Sequence, residues 1–368
     1  MARRTGGSRW AIALLVLAVT AGACSSPHAT GTPRTTTTGA LARAGAPVPS
    51  RGCSTFATAS TAAPASTSST SGASGEISGQ RQDITVDGVD RWFLLTTPPT
   101  RAGAGPVPLV VDLHGLAEGA TLHADTSQFG PEAQANGFIA VLPEGTGSPV
   151  SWDIAPSTKA HPNHDIDFMK AMLGAVEAQQ CVDTSRVYAD GFSDGALFTS
   201  LLACTMANRF AAFAAVAGIV MPSPCDPGRK VPILAFHGTA DPILYFNGGI
   251  GTAVLNHALG SGPAPTTTTA PPTELNGKGY PANTKAWAAK DGCNLTPIDT
   301  KVSAHVIMRR YRCPSGAAVE FYIVLGGGHA WPGSKVSAAL KSITGPSTFE
   351  INATDIIWKF FEQHRLAQ

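Results

Sequence analysis

The sequence predicts an α/β fold with a mainly parallel central sheet and helices on both faces. Short apolar runs alternate with segments of helical spacing, the pattern of strand–helix–strand units. Several of the runs end in glycine-rich turns, and such sheets bind ligands at the carboxyl ends of their strands. A third observation is the pentapeptide Gly191-Phe192-Ser193-Asp194-Gly195. It stands between the apolar run Val187-Tyr188-Ala189 and a helical stretch carrying Leu197, Leu201, Leu202 and Met206. Strand, sharp turn, serine and helix together present a hydroxyl at the top of a sheet. The helix aims its free N–H groups and positive dipole end at the same spot.

In chain order, Ile84, Val86, Asp87-Gly88 and residues 89–95 read as a hairpin with a D-G turn. Residues 109–113 form a buried strand ending at His114-Gly115, and residues 138–142 a second ending at Pro143. Ile166, Met169, Met172 and Val176 mark a helix on a period near 3.6. Residues 187–189 lead into the pentapeptide; residues 213–217 make a strand ending in Gly218, and residues 233–236 one ending at His237-Gly238. Residues 319–325 end at Gly326-Gly327-Gly328, and Ile356, Ile357, Phe360 and Phe361 describe an amphipathic closing helix. A Thr/Pro-rich insertion near residues 258–281, with the run Thr266 to Thr269 between prolines, interrupts the pattern as a surface loop or flap.

The N-terminus follows other rules. Arg3, Arg4 and Arg9 precede an apolar run over residues 11–19, then Ala21-Gly22-Ala23-Cys24. Residues 1–24 therefore read as a signal peptide with a lipobox, the run being too short to span a bilayer. Cys24 is the expected lipidation site, although Ala21 stands where a lipobox usually has a larger aliphatic residue. Residues 25–80 are Ser, Thr, Ala, Gly and Pro with almost no large apolar side chain, a composition expected to remain a disordered tether. The folded domain is expected over 81–368. The chain is expected to be exported, either lipid-anchored on the outer face of the membrane or secreted.

Of 368 residues 14% are charged, with a formal net charge of +1, which leaves no electrostatic footprint for nucleic acid. With 43% hydrophobic residues there is ample material for a core, and a monomer is expected. Export would place Cys53, Cys181, Cys204, Cys225, Cys293 and Cys313 in an oxidising compartment, where an even number favours disulfides whose pairing stays open. No cysteine or histidine cluster has zinc spacing, so neither metal nor cofactor is expected. His161, His164, Asp165 and Asp167 read as a polar loop entering a helix.

A serine hydroxyl needs a base to become a nucleophile, and the base needs a carboxylate to orient it. In α/β-hydrolases these follow in the order serine, acid, histidine, each after a strand. Ser193 comes first; Asp241 follows in the turn His237-Gly238-Thr239-Ala240-Asp241-Pro242, and His329 in Gly326-Gly327-Gly328-His329-Ala330-Trp331. The nearby acids Asp226 and Asp291 do not directly follow a buried strand, and His237 reads as a packing residue. The expected oxyanion donors are the backbone N–H groups of Asp194 and Leu116.

Dispersed motifs add a resemblance. They are His114-Gly115, Pro143-Glu144-Gly145-Thr146-Gly147 with Ser151-Trp152, Arg186-Val187-Tyr188, Phe236-His237-Gly238-Thr239-Ala240-Asp241 and Gly327-Gly328-His329-Ala330-Trp331-Pro332-Gly333. Over roughly residues 82–361 the chain resembles secreted polyhydroxyalkanoate depolymerases and feruloyl or acetyl-xylan esterases of the carbohydrate esterase family 1 type, in an actinobacterial lipoprotein form. The resemblance implies an α/β-hydrolase fold and a cofactor-free serine esterase that forms an acyl-enzyme on Ser193, Asp241 and His329. Its substrate would be a polyhydroxyalkanoate, feruloyl or short-chain acyl ester. It also implies the disulfides Cys293–Cys313, Cys204–Cys225 and, as the remaining pair, Cys53–Cys181. His114, Trp152 and Trp331 are candidates to line the substrate site, with aromatic packing as the alternative for the two tryptophans. Two departures stand out: Asp194 occupies a position that is usually small or amide, and the Thr/Pro insertion follows the acid turn. Two rivals remain at this stage, a peptidase on the same fold and an inactive envelope lipoprotein that binds glycan or polymer through the cleft.

Overall fold

The computed structural model describes residues 46–54, 79–99, 105–264 and 270–367. The expected signal peptide, Cys24, most of the expected tether and the run Thr266 to Thr269 lie outside the described residues.

The strands are β1 (Gln80–Val86), β2 (Val89–Thr96), β3 (Val107–Leu113), β4 (Ile139–Pro143), β5 (Val182–Phe192), β6 (Ala212–Val216), β7 (Ile233–Gly238), β8 (Asn294–Lys301), β9 (Val306–Arg312) and β10 (Val319–Val324). They form one ten-stranded sheet in the order β1-β2-β4-β3-β5-β6-β7-β10-β9-β8. From β4 to β10 every neighbouring pair is parallel, while β1–β2, β2–β4, β8–β9 and β9–β10 are antiparallel. The parallel centre is buried on both faces, which is why its strands read as nearly unbroken apolar runs. At the β1–β2 turn Asp87 and Gly88 both have positive φ, 50° and 79°, as a two-residue D-G hairpin requires.

Strand alternation sends β5 side chains into two cores. Val187 and Ala189 face one, with Phe168 and Met172 of α3 (His164–Gln179), Phe198 and Leu202 of α4 (Asp194–Thr205) and Trp287 of α6 (Tyr280–Lys290). Tyr188 faces the other, with Phe129 of α2 (Phe129–Asn136), Ala124 of α1 (Gly119–Ser127) and Trp358 and Phe361 of α9 (Ala353–Phe361). Each fully buried aromatic of this kind contributes about 1.5–3 kcal/mol of transfer free energy. The first turn of α3 is capped by Asn163, whose side chain accepts from the N–H groups of Asp165 and Ile166. Asp165 and Asp167 in that turn suit the positive end of the helix. Among the described residues no helix is long and apolar enough to cross a membrane.

Three boundaries differ from expectation. Residues 46–54 are docked on the domain rather than part of the tether. Thr184 N–H donates to the Val48 carbonyl (2.8 Å), Ser50 N–H to the Val182 carbonyl (2.9 Å), and Cys53 is bonded to Cys181. These contacts also explain why β5 starts at Val182 instead of 187: its first residues have Val107 of β3 on one side and this segment on the other. Tyr280 and Pro281 belong to α6, not to the Thr/Pro insertion, because the Tyr280 ring stacks on His237 at 3.6 Å. The remaining disulfides are Cys204–Cys225 and Cys293–Cys313, the latter closing the β8–β9 hairpin.

Candidate active site

Ser193 sits between β5 and α4 with φ 54° and ψ −114°, a conformation that costs a residue with a Cβ about 1–3 kcal/mol. The surroundings hold it there. Ser193 N–H donates to the Val216 carbonyl (2.9 Å), and the Ser193 carbonyl accepts from Ala196 and Leu197 (3.0 Å each). A Cβ on Gly191 would lie 2.6 Å from the Gly195 backbone, and one on Gly195 would strike the Leu113 carbonyl, so both glycines are required for the close approach of α4 to the strand ends.

The serine Oγ lies 2.8 Å from His329 Nε2, and His329 Nδ1 lies 2.7 Å from Asp241 Oδ2. His329 follows β10, and its loop is pinned by Gly328 N–H to the Pro346 carbonyl (2.7 Å) and His329 N–H to the Thr344 carbonyl (2.6 Å). Asp241 follows β7, fully buried, and its Oδ1 accepts from the N–H groups of Ile243 and Leu244 (2.8 Å each). Burial alone would raise this carboxyl, but the His329 and His237 imidazoles beside it hold it below the usual carboxylate range. His237 is more than packing: its Nε2 is 2.8 Å from the Leu244 carbonyl and 3.2 Å from Asp241 Oδ2. Asp226 pairs with Lys290 on the surface (3.6 Å) and Asp291 accepts the Val231 N–H (2.9 Å), so neither rival acid is joined to His329.

The loop after β3 carries Leu116, half-buried, with Ala117 N–H donating to the Val150 carbonyl (2.8 Å). Among the described residues neither the Leu116 nor the Asp194 N–H has a protein acceptor. The Asp194 carboxylate turns away from its own N–H and accepts the Trp152 N–H (2.8 Å). Burial, with Asp165 adding to it, pushes its pKa up to about 6.

The three candidate lining residues are structural. His114 is fully buried, with Nδ1–H donating to the Gly115 carbonyl (2.7 Å) and Nε2 accepting the Gly145 N–H (2.9 Å). Burial lowers its pKa, in keeping with a neutral ring used as a tie between the ends of β3 and β4. Trp152 stacks on Phe198 at 5.2 Å and donates its indole N–H to the His114 carbonyl (2.9 Å). Trp331 lies 1% exposed and donates to Thr354 Oγ1 (3.1 Å). Large rings whose one polar atom finds a buried partner are driven under the helical layer rather than left in a cleft.

Two groups join side chains that the sequence does not show to be neighbours. Asp112, His123 and Glu118 meet beneath the β3 loop, the only signal being an acid inside the buried run Leu109-Val110-Val111-Asp112-Leu113. Asp87, His164 and Asp167 bring ligand atoms within 4.8 Å of one another at the surface, where Asp167 also accepts from Lys170 Nζ (2.8 Å).

Comparison with known proteins adds the following. The profile of the family described as "Esterase PHB depolymerase" matches residues 92–248, a stretch that includes the Ser193 and Asp241 turns. Feruloyl esterase B of Piromyces equi is 28% identical over 248 residues, 65% of this chain; the chain spans 42% of that protein's length. NocK of Nocardia uniformis subsp. tsuyamanensis, which bears the name of an esterase, is 30% identical over 265 residues, 68% of this chain and 74% of NocK. The acetyl xylan esterase from Aspergillus awamori superposes with a TM-score of 0.51 at 15% identity, covering 77% of this chain and all of that one (100%), a likeness of fold. That fold is the α/β-hydrolase fold.

Proposed function

We propose, on the premise that the chain belongs to the esterase PHB depolymerase family, that it is a carboxylic ester hydrolase, a serine esterase working through an acyl-enzyme on Ser193, His329 and Asp241. The observation that carries this reading is the continuous hydrogen-bond line from Asp241 through His329 to the Ser193 Oγ, at 2.7 and 2.8 Å.

In this mechanism His329 Nε2 takes the Ser193 proton as Oγ bonds to the ester carbonyl carbon. The carbonyl oxygen becomes an oxyanion held by the N–H groups of Leu116 and Asp194, in front of the positive end of α4. Collapse breaks the bond to the alcohol oxygen, which leaves with the proton from His329. Water then gives its proton to His329 and attacks the acyl carbon; the acid departs and Ser193 recovers its hydrogen. Asp241 stays ionised throughout and stabilises the imidazolium. The feruloyl esterase name of the Piromyces relative supports feruloyl or related acyl esters as substrates, and the family description supports polyhydroxyalkanoates. Three disulfides fit an exported protein, with Cys24 as its lipid anchor to the outer face of the membrane and the domain acting as a monomer.

The test uses nitrophenyl esters of graded chain length and a fluorophosphonate probe. Wild-type protein is expected to hydrolyse the esters and to be labelled, and folded Ser193→Ala to do neither. Hydrolysis that survives in Ser193→Ala overturns the reading.

A further inference from the structure

We propose that the buried cluster Asp112–His123–Glu118 is a positioning device for the oxyanion loop, acting through the bond that Glu118 receives from the Gly115 N–H. The proposal rests on the serine esterase reading above and assigns residues that this reading does not use.

The geometry is closed on every side. His123, fully buried, places Nε2 2.6 Å from Asp112 Oδ1 and Nδ1 3.0 Å from Glu118 Oε2. Both ring nitrogens face carboxylates, so both carry hydrogens and the ring is an imidazolium. Burial works against that charge, but the two acids outweigh it and push the pKa up to about 10. Asp112 Oδ2 accepts from Ser127 Oγ (2.5 Å), and Glu118 Oε1 from Thr126 Oγ1 (2.6 Å), so α1 supplies a donor to each acid besides His123. The remaining donor to Glu118 Oε2 is the Gly115 N–H at 2.8 Å, one peptide before Leu116.

The loop needs such a hold. Ala117 has φ 62°, a left-handed conformation that a residue with a Cβ adopts only when its neighbours impose it. The bonds around it are Ala117 N–H to the Val150 carbonyl (2.8 Å), the turn bond from Glu118 N–H to the Gly115 carbonyl (3.2 Å), and Gly115 N–H to the Glu118 carboxylate (2.8 Å), which ties residue 118 back to residue 115 a second time.

The cluster also reaches the nucleophile strand. Asp112 of β3 is the register partner of Asp190 of β5, three residues before Ser193. Asp190 is fully buried, and as a carboxylate it has no hydrogen-bond partner. Burial and the Asp112 charge raise its pKa well above the usual range. The cluster thus lies beside the strand that delivers Ser193 as well as under the loop that delivers Leu116. Buried ions are poor sources of stability compared with apolar residues, and what such a network supplies here is fixed geometry.

The test compares kcat and KM for a nitrophenyl ester and for its thiono analogue, in which sulfur replaces the carbonyl oxygen. Oxyanion donors set for oxygen favour the oxygen ester, and that preference is the readout a merely structural role would not move. Glu118→Ala is expected to lose about tenfold or more in kcat for the oxygen ester with KM little changed, and to shrink the oxygen preference. Glu118→Gln, whose amide oxygen still accepts the Gly115 N–H, should recover most of both. Thr126→Val, which removes one support of Glu118, should show a smaller change in the same direction and serves if Glu118→Ala does not fold. Wild-type kcat and oxygen preference in folded Glu118→Ala, or in Thr126→Val where Glu118→Ala is unfolded, overturn the proposal; so does an equal loss on both substrates. Absence of Ser193-dependent hydrolysis in the wild type would instead remove the esterase reading, and this proposal with it, before any Glu118 variant is made.

Discussion

Two buried histidine–carboxylate groups on the same end of one sheet, around His329 and around His123, differ in what the second ring nitrogen faces. His329 gives one nitrogen to Asp241 and the other to the Ser193 hydroxyl. His123 gives both nitrogens to carboxylates, Asp112 and Glu118. The first ring can therefore exchange a proton with the hydroxyl beside it, whereas the second is held as a cation at neutral pH, with its pKa pushed up to about 10. Proximity of acid and histidine does not make a catalytic base; what the second nitrogen faces decides it.

The largest expected effect breaks the first group. His329→Gln should lose about 10⁴- to 10⁶-fold in kcat on nitrophenyl esters while its urea midpoint stays near wild type. If activity survives with only a modest loss, His329 is not the base. Asp241→Asn should follow at about 10⁴-fold, because the amide favours the wrong imidazole tautomer.

The second group should fail in the opposite currency. His123→Ala leaves Asp112 and Glu118 as uncompensated buried charges, and is expected to lose about 3–5 kcal/mol in urea unfolding. Its pH signature follows from the raised pKa. The stabilisation by His123 is fully present below its unfolded value, near 6.5, and is lost as pH rises through about 10. The groups facing the ring are Asp112, Glu118 and, through Coulomb interaction, His114. Urea midpoints measured from pH 6 to 10 should fall for the wild type and fall less for His123→Gln; parallel slopes would refute the assignment.

The smallest effect concerns Asp194. With its pKa pushed up to about 6, it is protonated in mild acid and charged at neutral pH beside the oxyanion donors. Asp194→Asn should raise kcat/KM for a negatively charged ester about twofold to fivefold at pH 7.5 and hardly at all at pH 5. An equal gain at both pH values would point to a steric cause.

What could be read in the sequence was what repeats along the chain. The strands 109–113, 138–142, 213–217 and 233–236 declared themselves as apolar runs, and Ser193, Asp241 and His329 by following such runs. What could not be read depends on direction and on distance. His114 and Trp331 lie beside the oxyanion and histidine motifs in sequence, and Trp152 in one of the motifs that carry the resemblance, yet all three are buried. Asp112 was visible as a polar intruder in a strand, but nothing in a one-dimensional pattern joins it to His123, eleven residues on (|i−j| = 11). The docking of Val48 on Thr184 spans 136 residues, and its Ser/Pro surroundings carry no strand period.

That docking changes how far the enzyme can work from its anchor. Were Cys24 acylated as proposed, the sequence between the lipid and the first docked residue would be residues 25–45, because the Cys53–Cys181 bond ties the chain to the domain well before β1. The maximum span of the connecting piece is about 75 Å, against about 200 Å had it run to residue 80. An early tie of this kind shortens by more than half the reach that an anchor on Cys24 would leave the domain.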